Sequence, residues 1–231
     1  MYALRSWLEI KGQVTYMNAK YDNDFIAVYP EIYHGNETGA KTVVRYILNK
    51  PGVMATYGVQ GPTTFDKTDH IFVFSKIFDT FGVDADHIMF LPILNLQLFK
   101  NKNKIRDKTC YFVGKGINLN YHPKDSILID RSVAENQSAL TDLLNECEVM
   151  YGYDPVSAMY EVARLCGCRV VLIQDQYTKE EWSKYEPGMN GISWGMEETI
   201  PLNVVKFRET YEELWWIMEE KIIKFIDITQ R

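Results

Sequence analysis

Short apolar runs separated by helical patterns are the feature that most limits which folds this chain can adopt. In the second half, strand-like runs occur as TCYFVG, SILID, VMYGY and RVVLI, with helical patterns at 136–147 and 155–166 between the later ones. Strands that alternate with helices usually pair in parallel, and right-handed connections place the helices against the sheet. This order predicts an α/β protein with a Rossmann-like unit in its second half.

The first half has fewer helical patterns. Its strand-like runs are QVTYM, DFIAVYP, HIFVFS and HIMFLPI, and residues 39–50, GAKTVVRYILNK, have helical periodicity. The segment FKNKNKIRDK, residues 99–108, interrupts this alternation with asparagines and spaced basic residues. Because such a segment has no apolar periodicity, it predicts a domain boundary.

Three regions are therefore expected. Residues 1–100 would form a partial Rossmann-like domain, and residues 101–206 would form a second Rossmann-like domain. Residues 207–231 carry apolar residues at helical spacing. A stripe of this breadth must pack on something, so we expect a terminal helix that lies back against the first domain.

Composition and charge limit the possible functions. A hydrophobic content of 46% is ample for a packed core, and a net charge of -6 argues against a protein that binds nucleic acid through its phosphates. The four cysteines lack repeated CxxC spacing and the four histidines are scattered, so we expect free thiols and no metal site. No apolar run reaches the ~18 residues of a membrane span, and the start lacks a secretory pattern. These features predict a cytoplasmic protein. Peripheral contact with a membrane is compatible with them.

The stretch YGYDPVSAMYEV, residues 151–162, predicts a ligand site at the end of a strand. Asp154 is placed as the N-cap of a helix that begins at Pro155. Ser157 and Glu161 follow at helical spacing on the same face. The helix N-terminus and Ser157 would bind a diphosphate, and Glu161 would bind the hydroxyls of a ribose. The alternative is structural, with Asp154 as a cap and Glu161 paired to a neighbouring base.

Two loops add to this prediction. In YFVGKG, Gly114 and Gly116 flank Lys115, which suits a loop that brings backbone and an ammonium close to phosphate. The spacing GxxxxGK[ST] of a P-loop does not occur in the chain. At the corresponding edge of the first domain, the predicted loop contains His34, Gly35 and Asn36. One loop from each domain predicts a ligand held between the two domains.

Three segments together resemble the GT-B-fold glycosyltransferases of capsule and O-antigen synthesis. They are YPEIYHGNETGAKTVVRYILNKPG, the VGKG loop and LLNECEVMYGYDPVSAMYEVARLCGCRVVLI, and the similarity extends over about residues 24 to 205. The resemblance implies two Rossmann-like domains that face a cleft. The first would be incomplete, because MYALRSWLEIKGQVTYMNA is similar to the first helix and second strand of such a domain.

The same resemblance implies the roles of individual residues. Glu161 would bind the ribose of a nucleotide and Lys115 its diphosphate. Many members have an E-x7-E pattern, whereas here an aspartate, Asp154, stands seven positions before Glu161. The predicted nucleotide-sugar site as a whole comprises Gly35, Asn36, Gly114, Lys115, Gly116, Asp154, Ser157 and Glu161.

The implied reaction is transfer of a sugar from a nucleotide-diphosphate sugar to a glycan or lipid-linked acceptor. Neither a metal nor a cofactor is expected, and His34 is the candidate general base in the cleft. Two alternatives remain open. The chain would be a non-catalytic remnant that binds a sugar nucleotide or docks on a partner, or it would be an epimerase of nucleotide sugars, since epimerases use the same fold.

Overall fold

The computed structural model describes residues 25–59 and 61–230 of this α/β protein. The predicted strand QVTYM and the helix expected before it lie outside the described residues. Two parallel sheets are present, so the predictions of an α/β fold and of parallel pairing are confirmed. The architecture is consistent with a Rossmann-like fold.

The first sheet has three parallel strands in the order β1-β2-β3. They are β1 (Ile26–Pro30), β2 (Thr42–Ile47) and β3 (His70–Val73), with Val28 opposite Val44 and Val44 opposite His70. The predicted runs DFIAVYP and HIFVFS form β1 and β3. HIMFLPI contributes only an isolated bridge, between Ile88 and Val73.

The predicted helix at 39–50 is wrong, because its centre is strand β2. Thr42, Val43 and Val44 are β-branched, and such side chains favour an extended backbone where both sheet faces are covered. Val43, Val44 and Ile47 are all buried in this central strand. Burial on both faces makes a strand as continuously apolar as a helix, and periodicity alone does not separate the two.

The second sheet has five parallel strands in the order β5-β4-β6-β7-β8. They are β4 (Lys108–Phe112), β5 (Ile127–Leu128), β6 (Cys147–Gly152), β7 (Arg169–Leu172) and β8 (Ile192–Trp194). The strands predicted at TCYFVG, SILID, VMYGY and RVVLI are confirmed.

Five α-helices are present among the described residues: α1 (Arg131–Glu135), α2 (Gln137–Glu146), α3 (Met159–Leu165), α4 (Lys179–Trp182) and α5 (Val204–Thr229). Side chains of Asp130, Asn136 and Asn203 accept from backbone amides of the first turn, which satisfies donors that the helix itself leaves unpaired. Short 3-10 turns occur at Val53–Tyr57, Lys76–Phe78 and Ala85–His87.

One hydrophobic core extends across both sheets. Ile47 and Val73 of the first sheet lie in the same buried cluster as Met150 and Val170 of the second sheet. Trp182 of α4 belongs to this cluster as well. The carboxyl-terminal loops of the first sheet therefore pack directly on the second sheet's connections.

The segment 99–108 is packed against the second sheet. The guanidinium of Arg106 donates to the carbonyls of Leu144 and Cys147 over 2.8 Å each, and to Cys166 over 2.5 Å. Its exposed lysines pair with Asp142 and Glu146 of α2. The basic residues thus tie the segment to α2 and to the end of α3.

Helix α5 contacts the first sheet through the ring of Phe225, whose centroid lies 4.9 Å from that of Phe72. Near the other end of the helix, the side chains of Phe207 and Tyr211 are buried. Within residues 25–59 and 61–230, no helix combines the length and apolar character that a membrane span needs.

Candidate functional site

The winding of the second sheet reverses between β4 and β6. From β4 the chain crosses to β5 on one side, and it then returns through α1 and α2 to β6 on the other side. In open parallel sheets, such a reversal leaves a crevice outside the carboxyl ends of the two strands, where ligands bind. The loops that border this crevice are residues 113–116 after β4 and residues 153–157 after β6.

Lys115 and Asp154 join these two loops. The backbone amide of Lys115 donates to Oδ2 of Asp154 over 2.9 Å, and the Lys115 ammonium lies 3.2 Å from the same oxygen. The ammonium also donates to the carbonyl of Val156 over 3.2 Å. The side chain of Asp154 is 3% exposed and that of Lys115 is 36% exposed. A buried carboxylate therefore holds a partly exposed ammonium at the crevice.

The two glycines beside Lys115 allow this close approach. A Cβ atom at Gly116 would lie 1.8 Å from the carbonyl oxygen of Tyr153, and one at Gly114 would lie 2.1 Å from the Asp154 carboxylate. Gly114 also has a φ of 53°, in the left-handed region that favours glycine. The glycines therefore allow close contact with the loop after β6, and the approach of this loop to a phosphate stays a prediction.

The helix predicted to begin at Pro155 is wrong, since α3 begins at Met159. Oδ1 of Asp154 accepts from the amide of Val156 over 3.1 Å, and the Ser157 hydroxyl accepts from the amide of Met159 over 3.2 Å. Such bonds from Asp and Ser side chains compete with helical pairing. They fold residues 154–158 as a turn, so the amides of the first helical turn do not lie directly at the crevice.

Glu161 does not face the crevice. Its side chain is 2% exposed, and its carboxylate accepts from the hydroxyl of Tyr185 over 2.8 Å. Burial raises the pKa of Glu161 to about 7, although hydrogen bonds from Tyr185 and Tyr211 and the nearby Arg164 oppose the shift. The predicted ribose contact requires an exposed carboxylate, so it has no support in this geometry. The structural alternative, in which Glu161 pairs with a neighbouring side chain, fits better, although its partners are tyrosines and not a basic residue.

Arg164 shares this interior. Its Nε donates to the carbonyl of Tyr160 over 3.1 Å and its Nη1 to that of Gly188 over 2.6 Å, while the guanidinium lies 4.1 Å from the ring centroid of Phe207. Burial lowers the pKa of Arg164 to about 10. Nη2 has no hydrogen-bond partner within the described part of the chain. Through Glu161 and Arg164, helix α3 therefore contacts both the segment that follows α4 and helix α5.

The predicted residues of the first domain build their own loop. The Asn36 side chain bonds both backbone polar groups of Ala40, and the carbonyl of Gly35 accepts from Arg45 over 2.6 Å. His34 is exposed in the same loop. These residues follow β1 at the carboxyl edge of the first sheet, as predicted, but the structure gives no contact between them and the loop of Lys115.

The loop after β2, and not the loop after β1, lies against the crevice. Asn49 and Val53 border a space of about 10 Å³ together with Lys115, Val156 and Tyr177. This volume holds about one water molecule. Beside it, the ammonium of Lys50 lies 4.5 Å from the ring centroid of Tyr177 and 3.5 Å from Glu181. Sequence reasoning missed this loop because β2 was predicted as a helix; the turn sequence NKPG after an apolar run was the available signal.

A larger groove lies farther along the same edge, where β8 ends. It encloses about 520 Å³ and is bordered by Tyr121, Trp194, Gly195, Met196 and Glu197. None of these residues was predicted from the sequence. Tyr121 belongs to the loop that follows β4, and this is the same loop that carries Lys115.

The described residues contain no group of three or more His, Cys, Asp or Glu side chains placed to hold a metal ion. All four cysteines are buried free thiols. Comparisons with protein-family models, with curated proteins and with solved structures found no match to this chain. The residues at the edge of the second sheet are therefore the basis for inferring a function.

Proposed function

We propose that this protein transfers a sugar from a nucleotide-diphosphate sugar to a glycan or lipid-linked acceptor, on a GT-B-like architecture. The observation that supports this most directly is the meeting of Lys115 and Asp154 at the point where the winding of the sheet reverses. Parallel sheets bind ligands at this position. The sequence resemblance assigns the diphosphate of the donor to the same lysine.

Lys115 is suited to bind a diphosphate. An ammonium has three N–H donors, and two are directed at Asp154 and Val156, which leaves the third for a phosphate oxygen. Asp154 is the positioning residue, because its buried carboxylate fixes both the backbone and the side chain of Lys115. An ammonium held in this way does not lose further side-chain freedom when the ligand binds.

The reaction breaks the bond between the anomeric carbon of the sugar and the oxygen of the β-phosphate. A bond forms between that carbon and a hydroxyl oxygen of the acceptor, whose proton leaves to a base or to water. Negative charge grows on the departing diphosphate, and a preorganised ammonium stabilises that charge. Lys115 would therefore contribute to the rate as well as to donor affinity.

A second candidate function is binding of a sugar nucleotide without turnover. It is favoured by the close packing between the loop after β2 and the edge of the second sheet, where Lys50 lies over Tyr177. A space of about 10 Å³ at this junction does not admit an acceptor. Transfer at this place requires the contact between Lys50 and Tyr177 to open, whereas donor binding on the outer side of Lys115 does not.

The experiment that separates these functions begins with calorimetric titration of nucleoside diphosphates and nucleotide sugars. Any nucleotide sugar that binds is then incubated with the protein, and release of nucleoside diphosphate is followed with and without glycan or lipid-linked acceptors. Acceptor-dependent release supports transfer, and binding without release supports the second candidate. If no nucleoside diphosphate or nucleotide sugar binds, both functions are wrong.

A further inference from the structure

The groove at the end of β8 is bordered by two aromatic side chains from different segments of the chain. Trp194 is the last residue of β8 and is partly buried, while Tyr121 comes from the loop after β4 and is 58% exposed. Gly195 and Met196 also border the groove, and Glu197 is the charged residue of the lining. The groove is open to solvent and large enough for a bicyclic ring.

The wall that carries Trp194 is held in place by backbone bonds. The amide of Trp194 donates to the carboxylate of Glu198 over 2.8 Å, and the amide of Gly195 donates to the carbonyl of Leu172 over 2.9 Å. Lys179 of α4 also pairs with Glu198. Glu198 is thereby engaged in structure, whereas the neighbouring Glu197 is exposed in the groove.

The wall that carries Tyr121 is anchored to the sheet. The hydroxyl of Tyr153 accepts from the amide of Tyr121 over 3.0 Å and from that of His122 over 3.3 Å. The ring of His122 stacks on that of Tyr111, with centroids 3.8 Å apart and an interplanar angle of 12°. Both walls are therefore fixed before any ligand binds, which lowers the entropy that binding costs.

The groove and Lys115 lie along one edge of one sheet. Trp194 ends β8 and Lys115 follows β4, and these strands are separated by β6 and β7, so the two strand ends are about 14 Å apart at the usual spacing between strands. A nucleoside diphosphate in an extended conformation spans a comparable distance. A single ligand could therefore place its diphosphate at Lys115 and its base in the groove.

The chemistry of the lining indicates which base fits. Flat aromatic side chains bind the faces of nucleobases by stacking. A carboxylate has two acceptor oxygens and no donor, so it pairs best with a ring edge that presents adjacent N–H groups. Guanine presents such an edge through its ring N–H and its exocyclic amino group, whereas uracil presents one N–H between two carbonyl oxygens.

We propose that this groove is the base subsite of the donor and that it selects guanine, with Tyr121 and Trp194 in contact with the ring faces and Glu197 accepting from the ring edge. The position of the diphosphate in this assignment rests on the proposed function. The base subsite is formed by other residues than the diphosphate site, so an experiment can exclude either one without the other.

The test is calorimetric titration of GDP, UDP, guanosine and uridine into the wild-type protein and two variants. Tyr121→Ala removes one stacking surface, and Glu197→Gln replaces one acceptor oxygen with a donor. Leu119→Ala and Glu180→Gln are the matched controls, since both residues are exposed and neither borders the groove. Thermal unfolding of each variant confirms that it is folded.

We expect GDP to bind about tenfold more tightly than UDP, because a side chain that makes two hydrogen bonds to a base edge discriminates between bases by about this factor. Tyr121→Ala should weaken GDP binding by at least about fivefold. Glu197→Gln should reduce the preference for GDP over UDP, and the controls should change neither quantity.

The outcomes separate the two proposals. If GDP and UDP bind equally, or if the two variants behave as their controls do, the base subsite is wrong, while a preference for diphosphates over nucleosides would still support the site at Lys115. If guanosine binds as tightly as GDP and loses affinity in Tyr121→Ala, the groove is supported and the diphosphate site is wrong. If no guanine compound binds, the base subsite is wrong.

Discussion

The ammonium of Lys115 and the carboxylate of Asp154 lie 3.2 Å apart across the reversal point of the second sheet. The carboxylate is almost fully buried, and the backbone amide of Lys115 bonds the same oxygen. Because one charge of the pair is desolvated, loss of its partner would leave an uncompensated buried charge. The pair therefore fixes the geometry of two loops and also holds the ammonium where a ligand would meet it.

Gly116→Ala should destabilise the protein by about 3 kcal/mol or more, because the added Cβ would overlap the backbone carbonyl of Tyr153, which cannot rotate away. Chemical denaturation measures this change in the free energy of unfolding.

Gly35→Ala is the matched control for Gly116→Ala. Nothing lies within 4 Å of a Cβ at Gly35, so the alanine meets only the strain of a φ of 63°. That strain should cost about 1–2 kcal/mol. Equal losses in the two variants would contradict the close approach of the loops.

The residues at the reversal point could be predicted from the sequence for a simple reason. VGKG and YGYDP each follow an apolar run, and the carboxyl ends of neighbouring parallel strands lie at one edge. Lys115 and Asp154 were therefore expected close together, although not as a pair with each other. The strand order that makes them neighbours depends on crossovers that local patterns do not encode.

The role of Glu161 could not be predicted in this way. A charged residue is almost never fully buried unless it is paired, so an exposed position was the reasonable expectation. Its partners are the hydroxyls of Tyr185 and Tyr211, which are 24 and 50 residues away in the sequence. Only tertiary packing brings these side chains together.

Arg106→Ala should lower the free energy of unfolding by about 3 kcal/mol, since one guanidinium donates to three backbone carbonyls at the ends of α2 and α3. Lys104→Ala is the control, because it removes an exposed ion pair from the same segment and should change little. Urea denaturation of both variants checks the expectation. A loss in Arg106→Ala no larger than in Lys104→Ala would mean that residues 99–108 act only as a linker.

Stability should fall as the pH rises toward 7 because of Glu161. Burial raises the folded-state pKa from 4.5 to about 7, so between these values the folded protein holds a proton that the unfolded chain has released. The contribution of this group is therefore fully present below about pH 4.5 and is lost as the pH passes 7, about 3 kcal/mol in all.

Glu161→Gln isolates this effect, because the amide oxygen still accepts from Tyr185. Burial also raises the pKa of Glu31 and of Glu186, and their contributions remain in both proteins. The free energy of unfolding should therefore decrease less steeply between pH 5 and 8 in the variant than in the wild type. Parallel curves would show that Glu161 does not titrate in this range. Nucleotide affinity should be the same in both proteins, since the carboxylate does not reach the crevice.

The preference for diphosphates over nucleosides is the binding property that depends on Lys115. Nucleoside diphosphates should bind more tightly than their nucleosides, and Lys115→Ala should reduce this preference by about 1.5–3 kcal/mol, the range for a hydrogen bond to a charged group. The reduction should be smaller at high salt, because the Lys115 ammonium is partly exposed and ions screen it. Lys124→Ala is the control, since this lysine is exposed in the same loop and has no place at the crevice. Titration of UDP and GDP against uridine and guanosine, at two salt concentrations and in all three proteins, measures these differences. If the diphosphates bind no better than the nucleosides in the wild type, the site at Lys115 is wrong even though the loops meet there.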